Sequence, residues 1–447
     1  MKNYSDLGAE LLRKARAEGA DAADLLIAES TDFSVTVRKG EVETLEEAGS
    51  KALGIRLFVG RRTATVHTSD FSRTALDELV REGVAMARAT GEDSAAGLPE
   101  EVYPAEDLDL GLFDPELPNF PTDERIEWAR RAEAAALAFD PAITNSQGGS
   151  FSLGTGSVLL ANSKGFMGSY EGSSVSLSVI PIAERDDAME RDHWYSSGRS
   201  VRELASPEEV GRIAAERTVR RLGARKVKTQ RVPVIFDPET AGEIAGTIFP
   251  ALSGYSVFRN ATFLKDRIGE AVASPLLTLV DDGRRPRGFG SRPFDGEGLP
   301  TRRNTPIEKG VLKYYLCDSY SGRKINARPT GSARRGISGG PGVGASNLYF
   351  EAGTTAPETL VSDLSRGLYV TDLIGFGVNL VTGDFSEGVV GHWIENGKFT
   401  HPVHEVTIAG NLKEMLADVD GVGTDLVFRG SIASPTLRIK QLTVSGT

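Results

Sequence analysis

Hydrophobic and polar residues alternate along much of the first half of the chain, and longer apolar periods interrupt that alternation. A period of two is typical of β-strands with one buried face, whereas apolar residues three and four apart indicate a helix. Short breaks at Lys39 with Gly40 and at Gly60 with Arg61 predict hairpin turns. The strands predicted around these turns cover residues 24–29, 33–38, 42–48, 52–59 and 62–68.

Helical periods predict four helices in this half, over residues 6–16, 72–89, 122–139 and 206–222. We expect the third to be entered through a cap at Thr122 and Asp123. Alternation returns between residues 143 and 183, where tight turns are expected at Gly148 with Gly149 and at Lys164 with Gly165.

The pattern changes after a basic stretch at residues 223–231. A short apolar strand is predicted at 232–236 and a helix at 238–249, and a further helical period occurs at 356–365. The rest of this half combines many glycines with short β-like runs. We therefore predict an α+β protein with an N-terminal α+β domain (residues 1–228) and a β-rich, barrel-like C-terminal domain (residues 229–447).

Composition and charge exclude several classes of protein. The 447 residues carry a formal net charge of −11, which repels a phosphate backbone, so we expect no nucleic-acid partner. The single cysteine, Cys317, excludes an internal disulfide and a zinc cage built from cysteines. The first twenty residues lack the apolar core of a signal peptide, and no apolar run could span a bilayer. We expect a cytoplasmic protein without a membrane partner.

Three motifs resemble catalytic or metal-binding arrangements but lack the context that such chemistry needs. His401 and His404 are three residues apart in a stretch typical of a strand, where their side chains point to opposite faces. Ser338 lies in a G-x-S-x-G match, yet the following Pro and Gly residues cannot begin the helix of a nucleophile elbow. Cys317 has no evident base, and its apolar neighbours favour a packed position.

Carboxylates beside glycines are a further set of candidates, because acid–base pairs can be built from loops. Asp295 and Glu297 lie in one such loop, and Asp384 lies in another. The sequence gives no distance between these groups, and acidic residues in turns are more often structural than catalytic.

A series of segments in the second half resembles the TldE/PmbA family, the paralogous partners of TldD that are also described as modulators of DNA gyrase. The matching segments are residues 294–298, 301–303, 308–312, 330–334, 346–348, 377–379, 381–386, 391–397, 407–412 and 434–435. Residues 54–58 and the helix after residues 71–72 fit the same family, so the resemblance extends over essentially the whole chain.

The resemblance implies a curved N-terminal sheet domain, a β-rich C-terminal domain and a role in a cytosolic TldD/TldE metallopeptidase. In that family the TldD subunit carries H-E-x-x-x-H on a helix and a C-terminal cysteine ligand. Aligned by eye, Gly246, Thr247 and Ala251 stand at the positions of that motif, and no cysteine follows Cys317. We therefore expect no cofactor and no catalytic residue in this chain, and zinc in a TldD-type partner.

The same resemblance places a substrate cleft at glycine-rich loops, whose free backbone groups suit the capture of an extended peptide. The residues expected to line it are Thr330, Gly331, Asn379, Thr382, Asp384 and Asn411. The expected partners are a TldD-type subunit and a peptide, with a homodimer when the chain is alone.

Two other hypotheses stay open at this stage. The chain could be a non-enzymatic homodimeric regulator linked to toxin–antitoxin or gyrase physiology. It could also be a solitary peptidase that uses Ser338 or Cys317 as its nucleophile.

Overall fold

The computed structural model describes residues 4–106, 108–186, 188–375 and 377–446. It confirms the helices predicted from the periodicity. It also contains three short helices, Gly254–Phe258, Ser319–Ile325 and Leu412–Ala417, which span too few turns to produce a period. None of the helices in the described residues is long and apolar enough to cross a membrane. The helices are α1 (Ser5–Ala17), α2 (Arg73–Ala89), α3 (Thr122–Leu137), α4 (Pro207–Arg221), α5 (Pro238–Ile248), α6 (Gly254–Phe258), α7 (Ser319–Ile325), α8 (Pro357–Ser362) and α9 (Leu412–Ala417).

Strands of the first half form one curled antiparallel sheet in the order β3-β2-β1-β4-β5-β6, and β7 also pairs with β5. The two predicted hairpin turns are confirmed, but β1 and β2 run unbroken through the polar segments where breaks were expected, since they pair with each other along their whole length. These strands are β1 (Ala22–Arg38), β2 (Glu41–Val59), β3 (Arg62–Thr68), β4 (Ile143–Asn162), β5 (Met167–Arg185), β6 (Ala188–Arg191) and β7 (Trp194–Gly198).

Two local predictions in this half are wrong. Gly148 and Gly149 form an irregularity within β4 rather than a turn, and a Cβ on Gly149 would lie 2.2 Å from the carbonyl oxygen of Ala129 in α3. These glycines therefore permit a bulge and a close helix approach. Helix α3 begins at Thr122 after Pro121, which provides no side-chain cap, so the expected Thr122–Asp123 cap does not form.

The two faces of this sheet have different chemistry. The apolar odd-numbered residues of β1, among them Leu25 and Val35, are buried in clusters under helices α1 to α4. On the opposite face, the hydroxyls of Thr36 on β1 and Ser150 on β4 lie 3.0 Å apart, whereas Leu26 and Leu160 belong to a small apolar cluster. The sheet thus has one helix-covered face and one opposite face that is polar along part of its length.

The second half contains a closed barrel, which confirms the barrel-like prediction. The barrel follows the order β17-β16-β15-β8-β20, and pairing of β20 with β17 closes it. A second sheet has the order β11-β10-β9-β14-β19, and α5 packs against β14, β15 and β19. The strands are β8 (Gln230–Phe236), β9 (Leu279–Asp282), β10 (Arg303–Glu308), β11 (Val311–Leu312), β12 (Ala333–Arg334), β13 (Gly342–Val343), β14 (Leu348–Phe350), β15 (Arg366–Ile374), β16 (Asp384–Glu395), β17 (Lys398–Asn411), β18 (Val419–Val422), β19 (Ile432–Ala433) and β20 (Leu437–Ser445).

The β12–β13 hairpin joins the two halves of the molecule. Its loop, residues 335–341, reaches the N-terminal sheet at Gly54 of β2. A Cβ on Gly54 would lie 1.9 Å from the carbonyl oxygen of Ile337, so only glycine permits this approach. The domain boundary predicted at residues 228 and 229 stays a prediction.

We expect Gly54→Ala to destabilise the protein by about 1–3 kcal/mol, because the added methyl group forces the hairpin away from the sheet. The measurement is the midpoint of urea unfolding. Gly339→Ala is the matched control, since a Cβ at that hairpin position meets nothing within 4 Å. Equal unfolding midpoints for the two variants would show that the hairpin is not in close contact with the sheet at Gly54.

Candidate functional site

Helix α5 carries the positions that the resemblance assigned to a metal-binding motif. Asp237 caps the helix by accepting a hydrogen bond from the Thr240 amide at 2.9 Å. Gly246 and Thr247 lie in the last turn of α5, and Ala251 lies beyond it in a 3-10 turn, Phe249–Leu252. A Cβ on Gly246 would meet Ile432 at 3.3 Å, and Ala251 is fully buried.

The residues at these positions do not fit a zinc site, since zinc in proteins takes imidazole, thiolate or carboxylate ligands. The side chain of Gly246 is a hydrogen atom, that of Thr247 carries a hydroxyl, and that of Ala251 is a methyl group. Across the part of the chain that the structure describes, no group of three or more His, Cys, Asp or Glu side chains could hold a metal ion. The expectation of zinc in a partner subunit stays a prediction.

The two nucleophile candidates lie in settings that do not activate them. Cys317 is buried, its Sγ lies 3.7 Å from the carbonyl oxygen of Tyr315, and burial raises its pKa to about 12, so the reactive thiolate is disfavoured. Ser338 is exposed at the tip of the β12–β13 hairpin, and no helix follows it. Neither position has the geometry of an activated nucleophile.

The two histidines of β17 face different cavities, as the strand interpretation predicted. His401 lines a cavity of about 420 Å³ together with Arg217 and His392, and its Nδ1 lies 3.1 Å from the Thr400 hydroxyl. His404 lines a separate cavity of about 850 Å³ and lies 3.8 Å from Glu190. The two rings are therefore not placed to share one metal ion.

Four of the six predicted cleft residues meet in one turn where β16 begins and β17 ends. Asn379 Oδ1 accepts hydrogen bonds from the amides of Val381 at 2.9 Å and Thr382 at 3.3 Å. The Thr382 hydroxyl donates to Asp384 at 2.6 Å. Asn411 donates to the Thr382 carbonyl at 3.1 Å, which ties the two strands together. This group is called the Asn379 turn below.

Thr330 and Gly331 lie in a different loop, between α7 and β12. Thr330 lines a cavity of about 1040 Å³ with several basic side chains, among them Lys265 and Arg302. Gly331 adopts a φ of +72°, and a Cβ there would lie 2.4 Å from the Pro300 carbonyl oxygen. Within the described residues no hydrogen bond joins this loop to the Asn379 turn.

A segment between them contacts both regions. The amide of Phe263 donates to the carbonyl of Leu380 beside the Asn379 turn at 2.8 Å. Lys265, two residues later, lines the cavity at Thr330. The six predicted residues therefore occupy two neighbouring regions on either side of this segment.

The carboxylates of residues 295–297 lie inside the domain junction. Asp295 accepts amide hydrogen bonds from Glu297, Leu299 and Ala333 at 2.9, 3.0 and 3.2 Å. Glu297 accepts one from the Ser319 amide at 2.7 Å and is only 4% exposed. Burial, with Asp295 nearby, raises the pKa of Glu297, and burial likewise raises the pKa of Asp295.

A buried charge cluster that joins the two halves was missed from the sequence. Asp24 on β1 binds Arg56 on β2 and Arg335 of the hairpin loop, each at 2.5 Å, and all three side chains are largely buried. The one signal for this cluster in the sequence is Asp24 itself, which is a charged residue among the apolar residues of a predicted strand. Arg335 is more than 300 residues away in the sequence, and nothing local identifies it as the partner.

The curled antiparallel sheet and the closed five-stranded barrel define an α+β fold of the TldD/TldE type. Family models match the chain over residues 23–87, 115–222 and 229–446, as domain 1, the central domain and the C-terminal domain of PmbA/TldA metallopeptidases. The chain belongs to the PmbA/TldD family.

Relatives and solved structures agree with this assignment. The chain is 38% identical to the metalloprotease PmbA of Escherichia coli O157:H7, with 96% of this chain and 93% of that protein covered. It is 36% identical to the PmbA homolog of Haemophilus influenzae, with 98% and 94% covered. A Bacteroides thetaiotaomicron crystal structure described as a modulator of DNA gyrase has a TM-score of 0.92, with 29% identity and 100% of both chains covered. TldE from Thermococcus kodakarensis shares the fold, with a TM-score of 0.89, 22% identity and coverage of 98% and 99%.

We expect Glu297→Gln to remove a pH dependence of stability. A carboxyl whose pKa is raised in the folded protein holds its proton more tightly there than in the unfolded chain, so its contribution to stability is lost as the pH rises through the raised value. Wild-type stability should therefore fall more steeply above the ordinary carboxyl range than that of the variant. The measurement is urea unfolding between pH 5 and pH 9.

Glu358→Gln, at an exposed position of α8, is the matched control for this experiment. It should reproduce the wild-type slope. Parallel stability curves for wild type and Glu297→Gln would contradict the assignment of a raised pKa to this group.

Proposed function

We propose that this chain is the TldE/PmbA-type subunit of a cytoplasmic two-component metallopeptidase that degrades or matures peptides, and that a TldD-type subunit supplies the zinc. The observation that carries the proposal is the combination of membership in a metallopeptidase family with Gly246, Thr247 and Ala251 at the motif positions. Zinc, when bound in the partner, would polarise the scissile carbonyl or activate water.

The contribution of this chain under the proposal is to hold and enclose the peptide. The polar part of the N-terminal sheet offers hydroxyl groups, the Asn379 turn offers exposed polar side chains, and the Thr330 loop lines a cavity with basic side chains. The Asn379 turn is internally hydrogen-bonded, so little conformational entropy remains to be lost when a peptide binds.

A regulatory homodimer is the second candidate function. The similarity to a B. thetaiotaomicron protein described as a modulator of DNA gyrase favours it. It would require a stable complex with gyrase and activity without a TldD-type subunit, so the same purified protein can test both functions.

We expect the purified chain to show no peptidase activity with added zinc, because no ligand set for the metal exists at α5. Addition or co-expression of a TldD-type subunit should give zinc-dependent cleavage of an unfolded peptide. The measurement is peptide hydrolysis together with the metal content of each subunit and of the complex.

Two outcomes would contradict this proposal. One is robust zinc-dependent cleavage by the chain alone that survives Ser338→Ala and Cys317→Ala. The other is the absence of a complex with the TldD-type subunit together with a stable complex with gyrase, which would support the regulatory function instead.

Within the active complex, we expect Asn379→Ala to raise KM about fivefold with little change in kcat. The substitution removes two hydrogen bonds that shape the turn, and the net loss should be about 1 kcal/mol. Asn379→Asp keeps the accepting oxygen and should restore KM. An unchanged KM in Asn379→Ala, with normal thermal stability, would remove the Asn379 turn from the substrate cleft.

A further inference from the structure

A small polar cavity lies at the domain junction, next to the β12–β13 hairpin. Its volume is about 90 Å³, which corresponds to roughly three water molecules. Apolar side chains of β1 and β4 form one wall, and residues 292–296 of the β9–β10 loop form the other together with residues 333–335. Three arginines, Arg292, Arg334 and Arg335, line it together with Asp295 and the aromatic rings of Phe294 and Tyr170.

Two of these arginines have buried donor groups without a partner. Arg292 is 5% exposed, and its Nη2 donates to the Ala333 carbonyl at 3.1 Å while its Nε has no hydrogen-bond partner. The Arg335 side chain is fully buried, and its Nη1 binds Asp24, but its Nε and Nη2 have none. Buried polar groups normally have partners, so these three nitrogens are available to an occupant of the cavity that their side chains line.

Of the three arginines at the cavity, only Arg335 is paired with a carboxylate, that of Asp24, among the described residues. In the described residues neither Arg292 nor Arg334 forms an ion pair, and Arg334 Nε donates to the carbonyl of Ala345 at 2.9 Å. Asp295 lines the cavity, but its oxygens accept backbone amides rather than guanidinium groups.

We propose that this cavity binds a small oxyanion, and that its natural occupant is the C-terminal carboxylate of a peptide. Guanidinium groups bind carboxylates and phosphates through paired N–H donors, and the volume admits a group of that size. The identity of the source rests on the proposed function, because a chain that holds peptides brings their carboxylates to this surface. The exposed part of Arg334 marks the side of the cavity closest to solvent.

The first test uses the purified chain without a partner subunit and measures thermal unfolding at constant ionic strength. Sodium phosphate and sodium acetate should raise Tm saturably relative to sodium chloride. Arg334→Gln and Arg292→Gln should each weaken the apparent affinity at least tenfold. Arg328→Gln removes a positive charge that lines other cavities and should bind as wild type does.

The variants are chosen so that a loss of folding is not mistaken for a loss of oxyanion binding. Arg334→Gln carries the main comparison, because that residue is exposed and has no ion pair, whereas Arg335 also holds Asp24. Equal Tm shifts in chloride and in the oxyanions, or equal shifts in Arg334→Gln and wild type, would overturn the site and leave a cavity that holds water.

The second test identifies the source of the oxyanion by calorimetry with one peptide, prepared with a free C-terminal carboxylate or with a C-terminal amide. We expect the free acid to bind at least tenfold more tightly, and Arg334→Gln to abolish that difference. Phosphate binding without discrimination between the two peptides would overturn the peptide source. Because neither measurement uses peptidase activity, failure of the proposed function would be seen separately, in the hydrolysis assay.

Discussion

The contact between the β12–β13 hairpin and the N-terminal sheet depends on one buried carboxylate that faces two guanidinium groups. Burial alone would raise the pKa of Asp24, but Arg56 and Arg335 outweigh that effect, so its pKa is lowered and the group stays ionised. Loss of one partner from such a pair costs about 3–5 kcal/mol because the remaining charge is buried without compensation. The cluster therefore fixes where the β12–β13 hairpin lies on the N-terminal sheet.

The same cluster accounts for the electrostatics around it. Two arginines share one aspartate, and the nearby carboxyls have their pKa values raised, chiefly by burial, which reduces the negative charge they contribute near neutral pH. The junction is consequently rich in positive charge although the whole chain carries −11. Partial burial of these guanidinium groups lowers the effective dielectric around them, which strengthens their attraction for a negatively charged group.

The sequence predicted most of the fold because its helices and strands have strong local patterns. The helices up to α5, the hairpin turns and the barrel-like second half all follow from periodicity and turn residues. The bulge at Gly148 and Gly149 could not be told from a turn, because a glycine pair that lets a helix pack closely against a strand has the same local composition as a turn.

The turn around Asn379 could be predicted from its family motif, but its distance from Thr330 could not, because that distance depends on how the barrel is closed. Likewise Arg335 could not be paired with Asp24 from local sequence, since that contact spans the two domains.

Under the proposed function, the two tasks of a peptidase, holding a peptide and attacking one of its bonds, are divided between two subunits. At α5 the positions that the resemblance assigns to the metal motif are packed: Ala251 is buried and its carbonyl accepts a hydrogen bond from Thr262 at 2.8 Å, while Gly246 lies against Ile432. A histidine at position 251 would have to displace that core, so metal ligands are excluded there by volume as well as by residue type. Under the proposed function the hydrolytic step therefore belongs to the partner subunit. The buried ion cluster, the Asn379 turn and the arginine cavity then give this chain its part in positioning the peptide.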